Sequence, residues 1–389
     1  MDLERERQEI LRALDEQAGE ALSLSRWMAG CPELSLAEYE TSRRYREWLA
    51  GRGFAIEAGV AGLETAFQAA WGEGRAPFTG ALLAEMDALP EIGHACGHNL
   101  SGPASLLAAS ALVRVLPPEA VRLLVIGCPA EETGVGKRRL VAAGAFAGVD
   151  AAMMAHASDM RRAHRLFLGN RKFDLVFHGR ASHAAAYPER GVNALDAVVQ
   201  LMSAVGLLRQ QLPRGVRVHG VITDGGRAPN VIPERAAAQL WIRALDEGEL
   251  DDAVARVLAC ARGAAEATGT RLEASELESS SPAMRPNLVL AACYRRQLER
   301  LGLSESDHAP DQAIGSSDIT HVSRVVPTIH PNFPIGTSLQ LHTRAFAQAT
   351  TSEAGQAGLL EGARALALTL HELARTPGLR AQVAEAQGA

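Results

Sequence analysis

A thiol, two imidazoles and several carboxylates crowd into one short stretch of this chain. Glu85-Met86-Asp87-Ala88-Leu89-Pro90 is followed at once by His94-Ala95-Cys96-Gly97-His98-Asn99. Thiolate, imidazole and carboxylate are the side chains that hold divalent transition metals. Cys96 and His98, two residues apart in a glycine-containing loop, can face one point. Further along come Glu131-Glu132 and His156, and much later His342. Adjacent carboxylates repel, so a Glu-Glu pair at the end of a buried strand needs a compensating positive charge. Side chains of neighbouring residues on extended backbone diverge, which lets one glutamate ligate and the other act as general base. A divalent ion lowers the pKa of water and polarises a carbonyl, so this set of groups points to hydrolysis. Cys96 is expected as a ligand and not as a nucleophile. The sequence contains neither a Gly-x-Ser-x-Gly elbow nor a Gly-x4-Gly-Lys-Ser/Thr phosphate loop.

These groups need a scaffold that brings them together. Apolar runs at 80–86, 121–127 and 150–155 read as buried strands, and each ends just before candidate ligands. Helical spacing over 4–30 and 36–51, a helix capped by Ser101 and running to about Val115, and another over 135–144 alternate with those strands. Alternation of this kind implies an α/β fold, with a mostly parallel sheet flanked by helices. Ligands of such sheets sit outside the carboxyl ends of the strands, which is where the candidates fall. Near Phe167 the pattern changes. A strand (172–179), a long helix (192–211), two strands (216–223 and 236–243), a helix (249–268) and a strand (271–276) follow in β-α-β-β-α-β order. That order describes an inserted ferredoxin-like α+β unit. The expected layout is a first catalytic segment at 1–168, an inserted domain at 169–282 and a second catalytic segment at 283–389.

The 389 residues exceed what one ordinary core holds, in keeping with two domains. A hydrophobic share of 47% and a formal charge of −6, with no basic block, exclude a nucleic-acid partner on composition. The charged N-terminus does not read as a signal peptide, and no apolar run spans a bilayer, so no membrane partner is expected. Five dispersed cysteines argue for a reducing compartment, and a cytoplasmic location is expected.

The motifs carry a resemblance. Met86-Asp87-Ala88-Leu89-Pro90, His94-Ala95-Cys96-Gly97-His98, Pro129-Ala130-Glu131-Glu132 and the late His342 match, in order and spacing, a family of co-catalytic metallopeptidases. That family includes aminoacylase, glutamate carboxypeptidase and succinyl-diaminopimelate desuccinylase. Within it the chain is similar to the amidohydrolase branch of hippurate hydrolase and the auxin-conjugate hydrolases. Cys96-Gly97-His98-Asn99 and Pro327-Thr328-Ile329-His330-Pro331 resemble the aminoacylase-1-like type, to which one of the subunits of p-aminobenzoyl-glutamate hydrolase also belongs.

The resemblance implies two divalent ions, zinc or manganese, on Cys96, His98, Glu132, His156 and His342, with the second ion labile. It implies Glu131 as general base and acid, and Asp87 as the carboxylate that orients a ligand from beneath. The inserted domain becomes a lid that also forms a homodimer. His183, in Gly179-Arg180-Ala181-Ser182-His183-Ala184, becomes the donor to the oxyanion, often in the partner subunit's site. Asn230 lies close to substrate, and Ser316-Ser317-Asp318 lines the pocket, with Ser317 the contact. The segment Ile314–Asp318 helps shape that pocket. His330 flanks the pocket loop and is taken as a substrate contact, with a structural role as the alternative. His94 reads as a supporting residue. Glu85 stands where peptidase members carry an early ligand histidine, and is read here as no ligand. Cys96 stands where they carry a bridging aspartate. The expected substrate is a small N-acyl or N-aroyl amino acid or a dipeptide. Alternatives are release of an amine from an aryl or carbamoyl compound, and a non-catalytic binding relative.

Overall fold

The computed structural model describes residues 3–307 and 315–388. His308 and Ile314, the latter part of the expected pocket loop, lie outside the described residues. The chain divides into two compact units, the first comprising Met1–Leu166, Arg285–Ala313 and Ser317–Ala389, and the second Phe167–Met284 with Ile314–Ser316.

The first unit opens with helices α1 (Leu3–Gly30) and α2 (Tyr39–Ala50). Strands β1 (Ala55–Ala58), β2 (Phe67–Trp71) and β3 (Thr79–Glu85) follow, then α3 (His98–Leu112), β4 (Arg122–Cys128), α4 (Gly136–Ala142), β5 (Ala151–Met153) and β6 (His156–Ser158). Every residue of β3 is buried, as expected of a strand paired on both edges and covered on both faces. Helix α3 is buried along its whole length. Its start differs from the expectation: it begins at His98, and Ser101 lies inside it with Oγ donating to the Gly97 carbonyl. The reason is Gly97, whose φ of 91° breaks the chain sharply before the helix. A Cβ there would also sit 2.6 Å from the Ala157 methyl.

The second unit holds β7 (Gly169–His178), β8 (Ser182–His183), α5 (Ala194–Leu208), β9 (Arg217–Asp224), β10 (Val231–Ile232), β11 (Arg235–Ala244), α6 (Glu247–Thr268) and β12 (Arg271–Glu276). Its four-stranded sheet runs β12-β7-β11-β9, antiparallel throughout. With the two helices this is the ferredoxin-like arrangement. Asn193 and Asp246 start the helices by accepting from Leu195 N and Glu249 N. Strands β8 and β10 form a separate two-stranded ribbon.

The chain returns to the first unit with α7 (Leu288–Arg300), α8 (Ile319–Ser323), β13 (Thr328–Ile329), β14 (Asn332–Pro334), α9 (Arg344–Ala349), α10 (Glu353–Arg375) and α11 (Pro377–Gly388). The main sheet has the order β1-β2-β4-β3-β5-β13. Strands β4, β3, β5 and β13 are parallel, and β2 and β1 add an antiparallel edge. Helices α1, α3 and α10 pack on one another and on the sheet through a core of Leu, Ala, Met and Phe. Among the described residues no helix is long and apolar enough to cross a membrane.

Candidate metal centre

The parallel strands end together, and each end delivers a polar side chain. Strand β3 finishes at Glu85 with Asp87 just beyond, β4 leads into Glu131-Glu132, β5 leads to His156, and β13 leads to His330. His98 is the first residue of α3. The turn after β4 is tightly made. Ala130 has a φ of 57°, and its N–H donates to the buried Glu38 carboxylate at 2.8 Å. Gly136 lets α4 close over that turn, since a Cβ there would stand 1.7 Å from the Pro129 carbonyl oxygen.

Cys96, His98 and His156 offer ligand atoms within 4.8 Å of one another, as do Cys96, His98, Glu131 and Glu132. Cys96 Sγ lies 3.6 Å from His156 Nε2. His98 Nδ1 donates to the Asp87 carbonyl at 2.7 Å and lies 3.2 Å from Asp87 Oδ1, so its Nε2 faces the cluster. Asp87 is fixed in turn, with Oδ2 accepting from Ser35 Oγ at 2.7 Å and from Glu132 N at 3.0 Å. Glu131 Oε2 lies 3.8 Å from His98 Nε2. The His156 and His330 rings stand 5.2 Å apart. His342 is attached through its N–H to the Ala95 carbonyl, and its half-exposed ring brings Nε2 to 3.5 Å from Glu132 Oε2. Ser317 is buried next to Asp318 and its Oγ accepts from Ile319 N.

Charge decides what this cluster needs. Burial pushes the Glu131 carboxyl well above the carboxylate range, and Glu85 and Glu132 push the same way. Burial also raises Glu132. The Cys96 thiol is driven well up by burial and by Glu132. Burial draws His98 down, but Glu85, Cys96 and Asp87 outweigh it and hold this imidazole well above its usual range. Burial lowers His156 to about 4 and His94 to about 3. Glu85 Oε2, His98 Nε2 and Glu132 Oε1 are buried with no hydrogen-bond partner. Buried carboxylate oxygens and an imidazole nitrogen turned toward one another without hydrogen bonds are costly, and a metal cation among them relieves that cost. The donor set, two imidazoles with a thiol and carboxylates, suits a borderline transition metal, so the residues fit the implied ion.

His183 and Asn230 belong to the second unit. They meet at the β8–β10 ribbon, where Ala184 N donates to the Asn230 carbonyl at 3.0 Å. His183 is exposed, and its Nδ1 accepts from Ala185 N and Ala186 N at 3.3 and 3.2 Å. The ring proton therefore sits on Nε2, which is left as a donor.

Residues 168–268 match the model of the peptidase dimerisation domain of the M20 family. Over nearly its whole length the chain is 36% identical to the Xaa-Arg dipeptidase of Mus musculus, covering 97% of this chain and 91% of that protein. The chain belongs to the M20 peptidase and amidohydrolase family. It is also 32% identical to a subunit of the p-aminobenzoyl-glutamate hydrolase of Escherichia coli, over 70% of this chain and 61% of that protein. The fold is shared with a Bacillus subtilis dinuclear metal-binding peptidase of the M20 family, with a TM-score of 0.71 at 21% identity, over 92% of this chain and 99% of that one.

Seen as an M20 chain, it holds three residues in unexpected roles. Glu85, which from sequence reads as no part of the ligand set, points into the cluster 3.2 Å from His98 Nε2. Lys137 has no chemical role in the sequence pattern, and Asp318 reads there only as part of the pocket-lining loop. Lys137 is wholly buried and its Nζ lies 2.6 Å from Glu85 Oε1 and 2.5 Å from Asp318 Oδ1. Asp318 Oδ2 also accepts from Lys137 N at 2.8 Å. A signal for this does exist in the sequence: a glutamate at the end of an otherwise apolar buried strand requires a cation, and Lys137 is one of the few lysines in the chain.

Proposed function

We propose that this M20 enzyme hydrolyses the amide bond of an N-acyl amino acid or a dipeptide, using divalent ions held by Cys96, His98, Glu132, His156 and His342. The observation that carries this reading is the convergence of buried, unpartnered ligand atoms at the carboxyl edge of the sheet, in a chain 36% identical to a dipeptidase. It is an enzyme acting on amide bonds, and the non-catalytic alternative falls away. When bound, the ions supply a lowered water pKa and a polarised carbonyl. Glu131, whose burial keeps it ready to hold a proton, takes the proton of the attacking water and hands it to the leaving amine. Asp87 keeps His98 in the tautomer whose Nε2 lone pair is available. To His183 we assign donation from Nε2 to the developing oxyanion, in keeping with its two hydrogen bonds at Nδ1. Asn230, Ser317 and His330 are assigned to substrate contact. Zinc or manganese are the ions we favour, with the second held less firmly.

The matched dimerisation domain supports a homodimer through the second unit. All five cysteines are free, which supports a cytoplasmic location. The test is a mass-spectrometric screen of N-acyl amino acids and dipeptides against the manganese- and zinc-loaded protein. Release of amine from at least one class is expected. No turnover of any of them would reject the substrate reading.

A further inference from the structure

Glu85 is left without a role by the functional reading, yet it is held in a buried ion pair beside the cluster. It is fully buried. Lys137 Nζ donates to Oε1 at 2.6 Å, whereas Oε2 has no hydrogen-bond partner. That bare oxygen lies 3.2 Å from His98 Nε2 and 3.9 Å from His156 Nε2. His98 Nε2 is also buried without a hydrogen bond, and it is directed inward because Nδ1 donates to the Asp87 carbonyl.

The spacings are those of donors around one ion. With metal–nitrogen and metal–oxygen bonds of about 2.0–2.2 Å, the edge of a tetrahedron is about 3.4 Å, and a thiolate at about 2.3 Å lengthens its edge to about 3.6 Å. The two Glu85 distances bracket the first value, and the 3.6 Å between Cys96 Sγ and His156 Nε2 matches the second.

We propose that Glu85 is itself a metal ligand, giving Oε2 to the ion held by His98 and His156 while Lys137 fixes Oε1. The inference rests on the metal reading above and adds a ligand to it. Lys137 is a positioning residue. Its ammonium is anchored on the far side by Asp318 Oδ1 at 2.5 Å, and its backbone N–H by Asp318 Oδ2 at 2.8 Å, so the carboxylate cannot swing to bind through both oxygens. The competing account is that Glu85 only neutralises Lys137.

Titration of metal-stripped, full-length protein with Co(II), followed by calorimetry and by the cobalt d–d absorption, separates the two. Glu85→Gln and the paired Glu85→Gln/Lys137→Met variant are compared with the wild type. For a ligand, both variants bind one cobalt equivalent about 100-fold or more weakly and shift the d–d bands, a loss at or beyond the upper end of that caused by outer partners. A paired variant that binds cobalt as the wild type does would overturn the proposal. Wild-type protein that takes up no cobalt refutes the metal reading itself, and the Glu85 assignment with it. Should circular dichroism show both variants unfolded, cobalt anomalous scattering from wild-type crystals decides. An ion within about 2.3 Å of Glu85 Oε2 upholds the assignment, and one beyond about 3 Å overturns it.

Discussion

Replacing Lys137 with methionine would leave Glu85 and Asp318 facing each other in a space that water does not reach. All three side chains have no exposed surface. Glu85 and Asp318 present oxygens within 4.8 Å of each other. At an effective dielectric of about 20, two charges at that separation repel by roughly 3.5 kcal/mol. Breaking a buried ion pair from one side costs about 3–5 kcal/mol by other routes of reckoning, so the two figures agree. The first unit should therefore lose about 3–5 kcal/mol, a large share of a typical domain's stability of about 5–15 kcal/mol. The assay is urea unfolding of chelator-treated protein at neutral pH, because bound ions would add their own stabilisation. A Trp241→Phe background leaves Trp27, Trp48 and Trp71, all in the first unit, to report the transition. The midpoint should fall with little change in slope. Removing all three charges together, as Glu85→Gln/Lys137→Met/Asp318→Asn, should recover most of the loss. A Lys137→Met protein within about 1 kcal/mol of its parent, or a triple variant no better than the single one, would show that the Lys137 charge does not hold the two carboxylates in place.

Three further outcomes are expected. Glu131→Gln should lower kcat by about 10²–10⁴ while the metal content, measured by elemental analysis, stays unchanged. His183→Ala should reduce kcat by about 10²–10³ and leave KM nearly unaltered, since an oxyanion donor acts in the transition state; an unchanged kcat would remove His183 from the chemistry. The third concerns pH and the contact between α1 and α10. The Glu6 carboxylate accepts from Arg375 Nη2 at 2.7 Å and from His371 Nε2 at 2.8 Å. Burial raises the Glu6 carboxyl, but Arg375 and His371 outweigh it and hold it below its usual range. Its stabilisation is therefore complete above the unfolded value of about 4.3 and is lost as pH falls through the lower folded value. The difference between wild type and Glu6→Gln, about 1–3 kcal/mol at pH 6, should shrink as urea midpoints are taken down toward pH 3.

Much of this molecule is legible in its sequence because period and spacing are strong signals. The buried runs at 80–86, 121–127 and 150–155 and the β-α-β-β-α-β order after Phe167 follow from hydrophobic pattern alone, and the structure has strands at Thr79–Glu85, Arg122–Cys128 and Ala151–Met153 and the ferredoxin-like order. The cluster of Cys96, His98, Glu131, Glu132 and His156 is foreseeable because parallel strands place their carboxyl ends side by side. What escapes is set by tertiary pairing. Ser101 looks like a helix cap, but the left-handed Gly97 starts α3 earlier. Lys137 stands beside Arg138 and Arg139 at the start of α4, and nothing in the local sequence marks it as the buried one. Only the closure of α4 over the turn after β4, allowed by Gly136, buries its ammonium. Asp318 reads as part of a pocket loop, and its link to Lys137 spans 181 positions, beyond the reach of any local pattern.

Amide hydrolysis by this chain is proposed to require metal held at the carboxyl edge of its sheet. The most direct test of that requirement is to count bound ions and measure dipeptide and N-acyl amino acid turnover on the same samples as metal is removed and returned. Turnover should vanish when chelation empties the protein and should return in step with the ions bound on adding manganese or zinc. Full turnover by protein shown by elemental analysis to be free of metal would contradict it.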